Sequence, residues 1–497
     1  MKKQLSFSVK LTLEEMALRR YFINLWCEMD VLSSIENLKY EYLTKGTLPS
    51  DFGTTLNEMV KEKISNLVLP ESLKKRMMVL IIPVGLDIVR WKVFHENSVN
   101  WSCDGLGLDI LKQLCWTPAG TVDYPKTAEK LLSLEALRVQ TRYKLAALYC
   151  LVDYIPSLWE QLPKSCKTHY LSDSPFVPSR VKLDVAWAYL LTEQESTLDS
   201  IVANLSPGDS FLQLACKYSA LGGNKGGAEY FFKRLTNAER NSFLVPLVNE
   251  IILDRNRELR RRAGDFPIEK LSEVVCFLLS QVSLEQQIQV LKKQPYEFFR
   301  CFLDWPLQDL CLEMAYLFQY FLSNHHYFLF IDSIAKDMDN SNHYFPNFLQ
   351  ELFQNSPSIF KNIFVAFERF HICFFYKFFN AEDMQTIKII FKHLGVDRVF
   401  TLVSQRKFFV LLETIIMFKK QHMVKMCLEE VLQSEHQKSR VKEKYMKFLS
   451  EFRTDVCVRK RRWRQIFRDI ATADRKRGII EETATGAKKR QKTKITF

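Results

Sequence analysis

Residues Leu145–Leu162 read LAALYCLVDYIPSLWEQL, and this stretch decides the fold class. A first apolar run (Leu145, Leu148, Leu151, Val152) is closed by Asp153, and Pro156 stands near the start of a second run. In that second run Ile155, Leu158, Trp159 and Leu162 recur at i, i+3, i+4 and i+7, the spacing that sets four side chains along one stripe of an α-helix. A carboxylate can accept from the unpaired N–H groups of a helix start, and proline tolerates the first turn because its missing N–H would have no partner there. The stretch therefore predicts a helix–turn–helix hairpin with Asp153 as its N-cap. A hairpin this short cannot bury its own apolar face and must stack on neighbours.

The same stripe returns at Leu198, Ile201, Val202, Leu205 and at Ala228, Phe231, Phe232, Leu235. It is seen again at Leu271, Val274, Val275, Leu278, at Ile387, Ile390, Phe391, Leu394, and at Val424, Cys427, Leu428, Val431. Glycine is sparse, at 15 residues, and alternating period-2 runs are hard to find, which favours an all-α class. The expected architecture is an irregular α-solenoid of stacked helical hairpins, ankyrin-like or built from other helical repeats, or the same hairpins folded back into a globular bundle. Corresponding stripes lie 43 and then 30 positions apart (Ile155, Leu198, Ala228), so there is no strict repeat, and the tetratricopeptide and ankyrin consensus strings are absent as written.

Three regions are expected: an N-terminal helical region over 1–129, a hairpin array over 130–470 and a disordered basic tail over 471–497. In the first, Leu13–Leu43 reads as one helical stretch with Phe22, Leu25, Trp26 and Met29 on its stripe, and Cys103–Pro125 reads as a long connection. In the second, LSDSPFVPS (171–179) reads as a loop and SPGD (206–209) as a turn, with Ser210 capping helix Phe211–Leu221, which stops at GGNKGG. The basic cluster Arg255–Arg262 marks another helix end, and 438–470 reads as continuing helix. The run FVAFERFHICFFYKFF (364–379) fits a helix buried on all sides or the lining of a groove for an amphipathic partner.

The best membrane candidate, Met77–Trp91, is broken by Pro83, Asp87 and Arg90, and the opening MKKQLSFSVKLTLEE lacks the sustained apolar region of a secretory signal. No membrane association is expected. Twelve cysteines occur singly, with no CxxC pair, and read as reduced, buried thiols. The net charge of +13 is local: from Lys438 to the end there are 20 Lys+Arg and 7 Asp+Glu, which leaves 50 of each for residues 1–437. The body is neutral and the tail basic.

Glycine backbones can cradle phosphate, but Gly222–Gly227 lacks the P-loop spacing and falls between helices, where a turn serves as well. His325, His326, His343 and His371 share an aromatic region with Cys301, Cys311 and Cys373, without zinc-ligand spacing. No G-x-S-x-G elbow and no H-E-x-x-H is present. No catalytic, cofactor-binding or metal residue is therefore predicted. RKRRWR supplies Arg459, Lys460, Arg461, Arg462 and Arg464 as candidate nucleic-acid contacts, although Trp463, Ile466, Phe467 and Ile470 give the same helix an apolar face to dock. Lys476–Arg477 and, after ten residues, Lys488, Lys489, Arg490 and Lys492 have the two-cluster pattern of a nuclear-import signal, which lays both clusters into acidic pockets of a carrier.

The blocks LRVQTRYKLAALYCLVDYIPSLWEQL (137–162), YSALGGNKGGAEYFFKRLT (218–236), RCFLDWPLQDL (300–310) and WRQIFRDI (463–470) resemble recurring strings of a large family of spider proteins, several of which carry an ankyrin-repeat label. The resemblance runs over most of residues 130–497. It implies a helical-repeat fold, and because the blocks carry no catalytic motif it transfers no activity. Residues and resemblance together lead to an expected non-enzymatic protein–protein interaction scaffold, with unidentified protein partners and a nuclear-import carrier, located in the nucleus or else the cytoplasm. The alternative is a nucleic-acid-binding protein that uses the basic C-terminal region.

Overall fold

The computed structural model describes residues 6–38, 55–99, 106–177, 180–257, 265–318, 321–340, 346–432, 434–451 and 457–472. Among them the chain runs helix after helix, and the one sheet is the antiparallel pair Phe176–Val177 and Arg180–Val181. The class is all-α, as the periodicity requires. No helix of the described residues is long and apolar enough to cross a membrane. The chain divides into two compact units, Met1–His343 and Tyr344–Phe497.

The opening stretch forms its hairpin in the first unit, from helices Val139–Leu148 and Ile155–Gln161, with Ile155, Leu158, Trp159 and Leu162 all buried. Tyr143 anchors it: the ring packs 5.5 Å from Trp159 and 5.2 Å from Tyr170, and the hydroxyl donates to the Asp184 carbonyl at 2.8 Å. Asp153 is not the cap. Tyr154 holds that position in helical conformation, and the Tyr154 and Ile155 N–H groups are taken by the Leu151 carbonyl at 3.0 and 3.2 Å, so a carboxylate has nothing to satisfy. Where an aspartate does cap, at Asp123, its own backbone is extended and its side chain accepts from the Lys126 N–H at 3.1 Å.

Three further readings are corrected. The helical stretch Leu13–Leu43, of which 39–43 lie outside the described residues, is divided into helices Leu13–Trp26 and Met29–Glu36, and Met29 is exposed while Val31, Leu32 and Ile35 are buried. The loop LSDSPFVPS contains the first strand of the short hairpin, held by pairing of Phe176 with Val181. Residues 438–470 are two helices, Glu435–Ser450 and 457–472, the first capped at Glu451.

Long helix Glu71–Val99 crosses the first unit and carries polar groups that tie it to its neighbours. Asp87 accepts from the Val122 N–H at 2.6 Å, Arg90 pairs with Glu269 at 2.7 Å, and Phe94 packs 4.1 Å from Phe266. Residues on both sides of position 130 thus share one core.

In the second unit the phenylalanine-rich run breaks at Phe367 into helices Ser358–Ala366 and Glu368–Asn380. Phe374, Phe375, Phe378 and Phe379 are buried, with Phe375 lying 5.5 Å from Phe391 and 5.4 Å from Phe408. These four phenylalanines are core, whereas Phe367 at the break is exposed, so the run is not buried on all sides.

Candidate functional site

The sharpest concentration of charge in the described residues is helix 457–472, which carries six basic residues and one acidic residue, Asp469. Its apolar stripe docks it: Trp463, Ile466, Phe467 and Ile470 are all buried. The Trp463 ring lies 3.9 Å from Tyr445 of helix Glu435–Ser450 and 5.9 Å from Phe467. Below it, Glu413 of helix Arg406–Met417 is buried, and its carboxylate accepts from the Trp463 indole N–H and, at 2.9 Å, from the Arg459 guanidinium. Tyr445 donates to the Phe409 carbonyl at 2.8 Å, and burial pushes its phenol far above the ordinary range. The buried carboxylate, two donors and two rings packed at a tilt of 34° form a polar latch inside an apolar seam.

Docking sorts the candidate contacts. Arg459 is engaged with Glu413, and Lys460 donates to Ser450 Oγ at 2.7 Å. Arg461 and Arg464 are exposed on the opposite side, with Arg462 half-buried at the flank. Arg468 joins the exposed pair although the basic run ends four residues before it. The signal for it was in the sequence: 461, 464 and 468 stand at i, i+3 and i+7, one face of a helix. Among the described residues no carboxylate pairs with these three guanidiniums. The import-signal residues Lys476, Arg477, Lys488, Lys489, Arg490 and Lys492 lie outside the described residues.

The other chemistry-bearing groups serve as ties. The Gly222–Gly227 loop is a turn between helices Phe211–Leu221 and Lys225–Arg234: Gly223 has φ +82°, and Asn224 caps the second helix by accepting from the Gly227 N–H at 3.0 Å while donating to the Leu148 carbonyl at 2.7 Å. A Cβ on Gly227 would sit 2.9 Å from Ser219 Oγ, so glycine there allows the close helix approach. Arg255 and Asp304 make a two-pronged ion pair, Nε to Oδ2 at 2.7 Å, and Ser272 donates to the same Oδ2 at 2.6 Å. His95 is clamped between the Trp91 carbonyl and the Tyr149 hydroxyl at 2.7 and 2.6 Å, and burial pushes its pKa down to about 3, leaving it neutral.

His325 is exposed, His326 is half-buried, and His343 and the His371 side chain lie outside the described residues. Cys301 and Cys311 are buried; burial pushes the Cys301 thiol up to about 12 and raises Cys311 as well. Such thiols stay protonated at neutral pH and are poor nucleophiles and ligands. Among the described residues no group of three His, Cys, Asp or Glu is placed to hold a metal ion. A cleft of about 230 Å³ in the first unit is lined by Lys144, Arg180, Lys182, Asp184 and Asp265 among others. Its charges are of both signs, and Lys182 is paired with Asp173 at 2.8 Å, so it selects no ion by charge.

Comparison with models of known protein families finds no match, and comparison with curated proteins finds none either.

Proposed function

We propose that this chain is a non-enzymatic interaction scaffold that is carried into the nucleus by its basic C-terminal tail. The observation that carries the reading is the use made of its reactive residues. His95, the Arg255–Asp304–Ser272 cluster and the Glu413 latch each join helices distant in sequence, and each is satisfied within the protein. Groups spent on holding helices together leave the outward faces as the working surface, as in stacked helical arrays that bind protein partners along extended surfaces. The tail supplies the address: Lys476–Arg477 and Lys488–Lys489–Arg490 are separated by a spacer of ten residues, the pattern an import carrier reads.

Imaging a fluorescent fusion of the full chain beside a variant with Lys488→Ala, Lys489→Ala and Arg490→Ala tests the address. The expected outcome is nuclear signal that the variant loses; identical distributions contradict it.

A further inference from the structure

We infer that the outward face of helix 457–472 binds the phosphate backbone of nucleic acid through Arg461, Arg464 and Arg468, without reading bases. This is independent of the scaffold reading.

The geometry comes from docking. With Trp463, Ile466, Phe467 and Ile470 facing the core, the three arginines are fixed on the opposite side of a rigid element, spread over seven residues or about 10 Å of helix axis. That span lets neighbouring guanidiniums reach successive phosphates, and the planar fork of arginine matches phosphate oxygens two at a time. Cys457 and Val458 are exposed in the first turn, and beyond it every exposed residue of the helix is polar: Arg461, Arg464, Gln465, Arg468 and Thr472. A protein-binding surface needs an apolar, aromatic-rich centre, whereas nucleic-acid interfaces are polar and strongly cationic. The one aromatic residue of the RKRRWR run, Trp463, is fully buried against Tyr445 and cannot stack on a base. Recognition is therefore of backbone charge, not of sequence. In sequence, residues 473–497 follow with eight basic side chains against three acidic ones, so the C-terminal region as a whole is net positive.

The test is fluorescence anisotropy of the full chain with labelled duplex DNA and, separately, labelled single-stranded RNA, each about 20 units long, titrated from about 50 to 200 mM salt. Three variants are compared: R461Q/R464Q/R468Q, the charge-keeping R461K/R464K/R468K, and K488Q/K489Q/R490Q in the tail. All the changed helix positions are exposed, and unchanged melting of each variant verifies the fold. The expected result is binding indifferent to base sequence, weakened about tenfold or more by the glutamine triple, with the salt slope reduced by about three, while the lysine triple keeps most of that slope. The two probes show which nucleic acid the face prefers. Binding lost with the tail variant but untouched by R461Q/R464Q/R468Q overturns the assignment. So does no binding of either probe at the lowest salt, which would make an acidic protein surface the complement of this face.

Discussion

Replacing Trp463 with alanine probes the seam that gives helix 457–472 its orientation. The side chain is fully buried, its ring lies 3.9 Å from Tyr445, and its indole N–H is one of two donors to the buried Glu413 carboxylate. Trp→Ala in a packed core costs about 3–5 kcal/mol through lost transfer energy and the cavity left behind. Loss of a donor to a buried carboxylate lies partly within that figure and adds at most about 1–3 kcal/mol more. Ile466, Phe467 and Ile470 remain buried, so the helix is expected to open locally rather than take the unit with it. At about 1.4 kcal/mol per factor of ten, amide-exchange protection over 457–472 should fall by about 10²–10⁴. Glu413→Gln is the milder companion: one amide oxygen still accepts the indole N–H, but Arg459 loses its counter-charge, and protection should fall by about tenfold. Hydrogen exchange of the full chains, resolved by peptide, measures both. Protection over 457–472 unchanged within about threefold in Trp463→Ala would show that Trp463 does not anchor the helix, because a helix whose main anchor is gone cannot keep a core-like opening energy.

The same geometry sets other outcomes. Folded His95 stays neutral down to about pH 3 whereas an unfolded imidazole protonates near 6.5, so the unfolded chain binds the extra proton between those values. Its contribution to stability is complete above pH 6.5 and falls as pH drops toward 3, a loss of about 2 kcal/mol by pH 5 at 1.36 kcal/mol per unit; urea midpoints of wild type and His95→Gln at pH 7 and 5 should show a steeper fall in the wild type. Gly227→Ala should destabilise by about 1–3 kcal/mol because its Cβ meets Ser219 Oγ at 2.9 Å, whereas Gly226→Ala, whose nearest neighbour is at 3.5 Å, should be close to neutral; thermal melts compare them. Asp304→Asn leaves the largely buried Arg255 side chain without its counter-charge and should cost about 3–5 kcal/mol by denaturant unfolding. A thiol reagent at neutral pH should modify exposed Cys457 quickly and Cys216, Cys276, Cys301, Cys311 and Cys427 only on unfolding, as mass spectrometry of labelled peptides would show.

Periodicity made the helices and most of the core legible. Of the recurring stripes, those at Ala228–Leu235, Leu271–Leu278, Ile387–Leu394 and Val424–Val431 are buried at all four positions. The failures fall where a helix ends. Met29 and Leu205 complete a stripe in sequence, yet the first begins a new helix, the second closes one, and both are exposed. Periodicity carries no information on where the backbone changes direction, and that choice rests on contacts far away in sequence. Capping was legible where side chains and chain direction agree: Ser210 accepts from the Gln213 N–H at 3.3 Å, with the Gln213 side chain reaching back to it. At Asp153 the composition was the same in kind, but a carbonyl already held the amides.

Of the basic run, composition located the charge and the apolar stripe located its back. Which guanidiniums face outward depended on Glu413, 46 residues from Arg459, and no local pattern announces that partner. The latch, the Asp304 cluster and the His95 clamp were invisible for the same reason, each joining residues tens of positions apart.

The most direct test of the scaffold account is the size and location of the native species. Nuclear and cytoplasmic extracts would be separated by gel filtration and the chain followed by an antibody. The chain is expected in the nuclear fraction, eluting in an assembly heavier than its own 58.5 kDa. A cytoplasmic species that elutes at the mass of one chain would contradict it.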